Sequence, residues 1–209
     1  MEKKFELTDE TIVCNGHTLY RIKALKSFSY IKKGELGGFV ESENNLSQHG
    51  ECWIDNEAKV YDEARVSDNA KVYGNAEVYN HAEVFGNAFV FENAKVFGDA
   101  QVFDYAKIYG NAKVYENAQL YRSAKVYGNA RVFGNAEVYN YGEIFDDARI
   151  YGKAVVCDNA QVYGKAVVCG KAYVCEDAKI CGDVIVCGDA EIFGNAVIQS
   201  FDDYEVFQN

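Results

Sequence analysis

The sequence contains no proline among its 209 residues, and this absence restricts the fold. Proline lacks a backbone N–H, so within sheets it is confined to edges, strand starts and bulges. A long chain without proline is therefore typical of a structure that pairs its backbone along its whole length.

Long apolar runs are also missing. No stretch of about 18 apolar residues occurs, so we predict no membrane-spanning segment. The first ten residues, MEKKFELTDE, lack the apolar core of a secretory signal. We therefore expect a cytoplasmic protein and interpret its seven cysteines as reduced thiols.

The chain has fewer basic than acidic residues. The 21 Lys and Arg residues against 32 Asp and Glu give a formal charge of −11. The whole excess lies in residues 51–209, because residues 1–50 contain seven of each sign. This balance argues against general binding to double-stranded DNA or to anionic membranes.

A six-residue repeat fills the rest of the chain. Alanine recurs every six residues from Ala58 to Ala196, with two substitutions, and Val, Ile or Leu follows two residues later in all 24 units. The next position is Tyr or Phe in most units, and a turn pair such as Gly-Asn completes the repeat. Strand side chains alternate between faces, so Ala and Val share the buried face, because the lysines opposite them are costly to bury. The repeat predicts a narrow solenoid of short strands and corners.

The phrase VYGNAK resembles the hexapeptide-repeat family, in which a small residue follows an aliphatic one after four positions. The resemblance implies an all-β, left-handed parallel β-helix with three repeats per triangular coil, about eight coils in all. It places residues 18 apart directly above one another. The ring after each aliphatic residue departs from the family, where that position is usually small or acidic.

The two ends do not repeat. Residues 1–50 are expected to cap the solenoid, with a β-hairpin around Asn15-Gly16 in TIVCNGHTLYRIKAL. Residues 51–200 form the solenoid, and residues 201–209 a short C-terminal cap. A non-repeating block ahead of such a rod also looks like uncharacterised phage and prophage proteins, which implies a bacterium or a phage-infected bacterium as the setting.

Catalysis has little support in the sequence. The family resemblance implies acyltransferases that use coenzyme A or an acyl carrier protein and a histidine base. Only His17, His49 and His81 are present, and His81 is expected beside Glu63 and Asp99 on a corner. A solvated corner histidine is the favoured alternative to a base, so we predict no catalytic residue, although an acyltransferase stays open.

The cysteines give no metal site by this reasoning. Five of them occupy the aromatic position, and the 18-residue period stacks Cys157 with Cys175 and Cys169 with Cys187. Thiols that point outward in parallel do not converge as zinc requires, so we interpret them as small apolar filling and expect neither a metal nor a cofactor.

One predicted face aligns Lys95, Lys113, Arg131 and Arg149 beside an aromatic ladder. Stacked like charges repel, so corner acids such as Glu116 and Asp146, or a bound anion, must offset them. Bases could stack on the rings; alternatively, the lysine stems simply cover the rings in solvent.

A second candidate is a corner where several departures from the repeat converge. Stacking at 18 residues places Ser123 between Tyr105 and Tyr141, with Arg122 beside it. Such a group can grip a planar or anionic ligand. The alternative is a surface ion pair between Arg122 and Asp104 of little energetic value.

The last coils carry outward apolar residues, which are typical of an interface. They predict self-association, as a dimer or trimer, through Val155, Val167, Tyr173, Ile185 and Val197. We therefore expect an oligomeric, non-catalytic binding rod that captures an anionic small molecule or nucleotide, or a host protein, as a decoy or signal sponge. The alternatives are the acyltransferase and a structural rod or filament.

Overall fold

Strands of two residues recur every six residues in the computed structural model, which describes residues 3–200. They stack into three parallel sheets and form a β-solenoid of about nine turns. The predicted all-β parallel solenoid is confirmed, with about nine turns where about eight coils were expected. The only helix in the described part of the chain is a single 3₁₀ turn, Glu43–Asn45.

The three sheets share one pattern, in which each strand pairs with the strand one turn away. The first sheet contains β1 (Phe5–Cys14), β2 (His17–Ala24), β3 (Leu36–Val40), Lys59–Val60, Glu77–Val78, Lys95–Val96, Lys113–Val114, Arg131–Val132, Arg149–Ile150, Val167–Val168 and Ile185–Val186. The second contains Trp53–Ile54, Lys71–Val72, Phe89–Val90, Lys107–Ile108, Lys125–Val126, Glu143–Ile144, Gln161–Val162, Lys179–Ile180 and Val197–Ile198. The third contains Arg65–Val66, Glu83–Val84, Gln101–Val102, Gln119–Leu120, Glu137–Val138, Val155–Val156, Tyr173–Val174 and Glu191–Ile192.

The register between turns is 18 residues. Val96 pairs with Val114 and Lys95 with Lys113, and the Lys95 N–H donates to the carbonyl of Ala112 at 2.9 Å. Val96, Val114 and the alanines before them are fully buried. The predicted stacking and the Ala/Val interior are therefore confirmed.

The aromatic side chains of the repeat lie outside this core, as predicted, and they form three ladders. Adjacent rings are nearly parallel, with centroids 4.8 Å apart for Tyr115 and Phe133, for example. The ladders comprise Tyr61, Tyr79, Phe97, Tyr115, Phe133 and Tyr151; Tyr73, Phe91, Tyr109, Tyr127, Phe145 and Tyr163; and Phe85, Phe103, Tyr121 and Tyr139. Burial beside its neighbours raises the pKa of Tyr121 to about 12.

Each corner turns on one left-handed residue, the first of the turn pair. Gly110 has φ +72°, and a Cβ there would lie 2.8 Å from the backbone nitrogen of Gly128 in the next turn. Asp104 and Arg122 hold the same conformation with φ 56°. Glycine suits this position because it carries no steric penalty at positive φ, so a side chain there needs a compensating contact.

The N-terminal residues cover the first sheet. β1 and β2 pair antiparallel around Asn15-Gly16, which confirms the predicted hairpin. β3 pairs antiparallel with β2 and parallel with Lys59–Val60, so it belongs to both the cap and the first turn. The predicted C-terminal cap, residues 201–209, lies outside the described residues. Within residues 3–200 no helix has the length and apolarity to cross a membrane.

The core assignment predicts opposite effects for two neighbouring residues. Val132 is fully buried, whereas Arg131 on the same strand is exposed. We expect Val132→Ala to lower the free energy of unfolding by roughly 2 kcal/mol, because it removes buried methyl groups and leaves a cavity. Arg131→Ala should change it by less than about 0.5 kcal/mol. Chemical denaturation followed by circular dichroism measures both, and equal losses would contradict the inward direction of the valine.

Candidate functional site

The predicted row of cations exists, but its first member is paired. Lys95, Lys113, Arg131 and Arg149 are aligned by the register of the first sheet. The Lys95 ammonium lies 2.8 Å from the carboxylate of Glu77, and this hydrogen bond raises the pKa of Lys95. Lys95 is therefore already neutralised by a neighbouring turn.

The other three residues, Lys113, Arg131 and Arg149, form what we call the cation strip. None of them has an ion pair with any carboxylate in residues 3–200. Arg131 and Arg149 are exposed and Lys113 is half-buried. The corner acids expected to offset the row, Glu116 and Asp146, form no ion pair with it. The strip is thus three like charges at one-turn spacing that an anion would stabilise.

The ladder beside the strip offers ring edges rather than ring faces. Tyr115, Phe133 and Tyr151 stack on one another with centroids 4.8 Å and 5.0 Å apart. Because each of these faces is occupied by the next ring, a nucleic-acid base cannot insert between them. The arrangement favours recognition by charge over the base stacking that the sequence indicated.

The residues of the predicted corner lie close together, but their hydrogen bonds differ from those expected. Tyr105 and Tyr141 are 61% and 64% exposed, one turn either side of half-buried Ser123. The Arg122 guanidinium donates to Asn140 Oδ1 at 2.5 Å, while its backbone N–H donates to Asp104 Oδ2 at 3.2 Å. The expected side-chain ion pair between Arg122 and Asp104 is therefore wrong.

The surface beside this corner is acidic. An open depression of about 540 Å³ is lined by Asn140, Tyr141, Asp158, Asn159, Glu176 and Asp177. The Arg122 guanidinium is committed to Asn140, whose amide in turn donates to Asp158 at 2.5 Å. An anion approaching Tyr141 would meet three carboxylates, so the corner is electrostatically a poorer anion site than the cation strip.

The predicted interface residues occupy different faces of the solenoid. Val167 and Ile185 pair in the first sheet and extend the column of the cation strip. Val155 and Tyr173 pair in the third sheet, and Val197 lies in the second. They therefore form two separate pairs and one isolated residue rather than one contiguous patch.

The cysteines stack as predicted, but not all are reduced. Cys169 and Cys187 form a disulfide across one turn, so the expectation of thiols throughout is wrong for this pair. Cys157 donates to the Tyr173 hydroxyl at 3.3 Å, and burial raises the pKa of Cys175 to about 11. Cys157, Asp158 and Cys175 present ligand atoms within 4.8 Å of one another, which makes them one of two groups within residues 3–200 that could hold a metal.

The other group lies at the junction of cap and solenoid, and sequence reasoning missed it. His17, Glu41 and Asp62 also present ligand atoms within 4.8 Å. Hydrogen bonding to Glu41 raises the pKa of His17. His81 lies 3.2 Å from Glu63, as predicted for that corner. No local motif marks the group, because its residues come from β2, the segment after β3 and the first corner.

Comparison with known proteins identifies the repeat. Residues 124–140 match the YdcK beta solenoid repeat. No curated protein matches the chain. The matched segment contains one strand from each sheet, Lys125–Val126, Arg131–Val132 and Glu137–Val138, so it corresponds to one turn. The match supports a β-solenoid repeat and carries no activity to this chain.

The left-handed conformation of Arg122 generates a stability prediction. Arg122→Gly removes the steric cost of positive φ, which is about 1 kcal/mol, and loses the exposed bond to Asn140. Arg122→Ala loses the same bond and keeps the strain. We therefore expect the glycine variant to melt above the alanine variant in calorimetry. The reverse order would mean that the backbone at this corner is not left-handed.

Proposed function

We propose that this protein is a non-catalytic, rigid binding rod whose cation strip captures an elongated, multiply charged anion on the side of the solenoid. The observation that carries the proposal is the alignment of Lys113, Arg131 and Arg149 at one-turn spacing with no carboxylate partner in the described residues. Guanidinium and ammonium groups donate strong, charge-assisted hydrogen bonds to phosphate, sulfate and carboxylate.

The scaffold supports this function by fixing the spacing of the charges. Each cation stands on a strand tied to both neighbouring turns by backbone hydrogen bonds, such as Lys113 N–H to Ala130 O at 2.9 Å. Binding therefore orders side chains alone, and the backbone contributes little to the entropic cost. Ladder spacings of 4.8 Å and 5.0 Å indicate that the three cations extend over about 10 Å, so the ligand should be elongated.

The alternatives draw less support from the geometry. An acyltransferase needs a base and a covered acyl site, whereas His81 is largely exposed beside Glu63. A filament built by parallel stacking needs matching strands at its ends, whereas the first sheet continues at its N-terminal end into the antiparallel strands β1 and β2. Binding on the side of the rod requires neither feature.

Charge reversal on the strip tests the proposal. With inorganic tripolyphosphate as the probe in calorimetric titration, Arg131→Glu with Arg149→Glu should weaken binding at least about tenfold, because each lost charge-assisted hydrogen bond is worth about 1.5 kcal/mol or more. Added salt should weaken wild-type binding as well.

Lys107→Glu with Lys179→Glu provides the matched control. Both lysines are exposed on the second sheet, and the net charge changes equally. Binding should persist in this control and in Arg122→Glu with Tyr141→Ala. Equal loss of tripolyphosphate binding in the strip and control variants would mean that binding depends only on net charge. Loss of binding in the corner variant alone would place the site at the corner instead.

We further propose that two copies associate through the apolar end of the same column. Ile185 is 51% exposed and pairs with Val167. Aspartate at both positions should prevent burial of this face between two copies. Light scattering of Val167→Asp with Ile185→Asp should therefore report a smaller particle than the wild type. Val155→Asp with Tyr173→Asp tests the third sheet in parallel. An unchanged mass in the first variant would contradict the assignment.

A further inference from the structure

A histidine and two carboxylates converge at the junction between the hairpin and the first turn. His17 begins β2 directly after the hairpin turn, Glu41 follows β3, and Asp62 is the left-handed residue of a corner, with φ 56°. Their side chains are one-quarter to one-third exposed. The group therefore lies at the surface, accessible to a small ion.

The two ends of the imidazole face different carboxylates. Nδ1 lies 3.0 Å from Glu41 Oε1, and Nε2 lies 3.3 Å from Asp62 Oδ1. Two ligands that bind one tetrahedral zinc ion at about 2.1 Å are about 3.4 Å apart. The separation of His17 Nε2 and Asp62 Oδ1 therefore matches two ligands of a shared cation.

The remaining polar atoms of the group already have partners. Glu41 Oε2 accepts the Asp62 backbone N–H at 2.7 Å. Asp62 Oδ2 accepts the backbone N–H of Asn80 at 3.0 Å and its side-chain amide at 3.1 Å. The His17 ring also packs on Tyr61, with centroids 5.3 Å apart. These contacts hold Nε2 and Oδ1 toward each other before any ion binds.

We propose that His17 Nε2 and Asp62 Oδ1 bind a divalent first-row transition metal ion such as Zn²⁺. Glu41 is a positioning residue, because a carboxylate on the second ring nitrogen fixes the tautomer and the orientation of a metal-bound histidine. Imidazole and carboxylate are both ordinary ligands of these ions. From the sequence we expected no metal. The two proposed ligands lie 45 positions apart in the sequence, so no local motif indicates them.

Space for further ligands lies beside Glu41 and Asp62. An open depression of about 580 Å³ is lined by Glu41, Ser42, Asp62, Glu63, Asn80 and His81. The pair of His81 and Glu63 stands on the same depression, with Nδ1 and Oε2 3.2 Å apart. Water, or one member of this pair, can complete the coordination, so the ion would keep a position open to solvent.

Cobalt(II) is a suitable probe because its spectrum distinguishes ligand types. Protein without an affinity tag is stripped with chelator, dialysed and titrated with Co²⁺. The expected result is one ion per chain, with visible d–d absorption and no thiolate-to-cobalt charge transfer. A charge-transfer band that disappears in Cys157→Ser with Cys175→Ser would place the metal on the cysteines and overturn the proposal.

Substitutions at the ligands should remove binding without disturbing the fold. Asp62→Asn keeps a residue that tolerates positive φ and an acceptor for Asn80, and His17→Gln keeps a polar side chain at the hairpin. Each should weaken Co²⁺ binding more than about tenfold, and Glu41→Gln about 10- to 100-fold. Melting curves verify that each variant folds. If His17→Gln does not fold, the Asp62→Asn variant tests the proposal by itself.

His49→Ala is the matched control, because His49 is exposed near the same junction and belongs to neither group of possible metal ligands in residues 3–200. It should bind Co²⁺ as the wild type does. Absence of stoichiometric binding to the wild type, or undiminished binding to Asp62→Asn, would overturn the metal assignment. Neither result bears on the cation strip, whose residues lie on later turns.

Discussion

Backbone hydrogen bonding between turns, at a fixed offset of 18 residues, is the constraint on which the rest of this structure depends. Each turn donates to the next through bonds such as Phe97 N–H to Val114 O at 3.0 Å. The interior of the repeat then holds small and aliphatic side chains, because three strands enclose it at close range. The outward side chains follow the same offset, so residues of one chemical type that recur every 18 positions form a column on the surface.

This offset explains why the surface is organised in ladders. Rings stack on rings at about 5 Å, and asparagines form amide ladders such as Asn75 to Asn93 and Asn93 to Asn111, each at 3.3 Å. Opposite charges one turn apart pair, as Lys125 does with Glu143 at 2.6 Å. Three adjacent cations in one strand column occur in the cation strip, and this alignment makes the strip functionally interesting.

The sequence predicts the fold well because the periodicity is strict. The outward rings and the hairpin at Asn15-Gly16 follow from local patterns, whereas the position of Val96 over Val114 follows from the resemblance to the hexapeptide-repeat family. The side-chain partners were harder to predict. The Arg122 guanidinium donates to Asn140 rather than to Asp104. The left-handed backbone of Arg122 directs its N–H to the Asp104 carboxylate instead. The group of His17, Glu41 and Asp62 has no local signal, since the hairpin must fold onto the first corner before the residues meet.

The most direct test of the central claim is a nuclear Overhauser experiment on protein with labelled valine methyls and aromatic rings. The 18-residue offset predicts strong contacts between the methyl groups of Val96 and Val114 and between the rings of Phe97 and Tyr115. Contacts between the Phe97 ring and the Val114 methyls, in place of those two, would put the ring inside the solenoid and contradict the columns from which the cation strip is built.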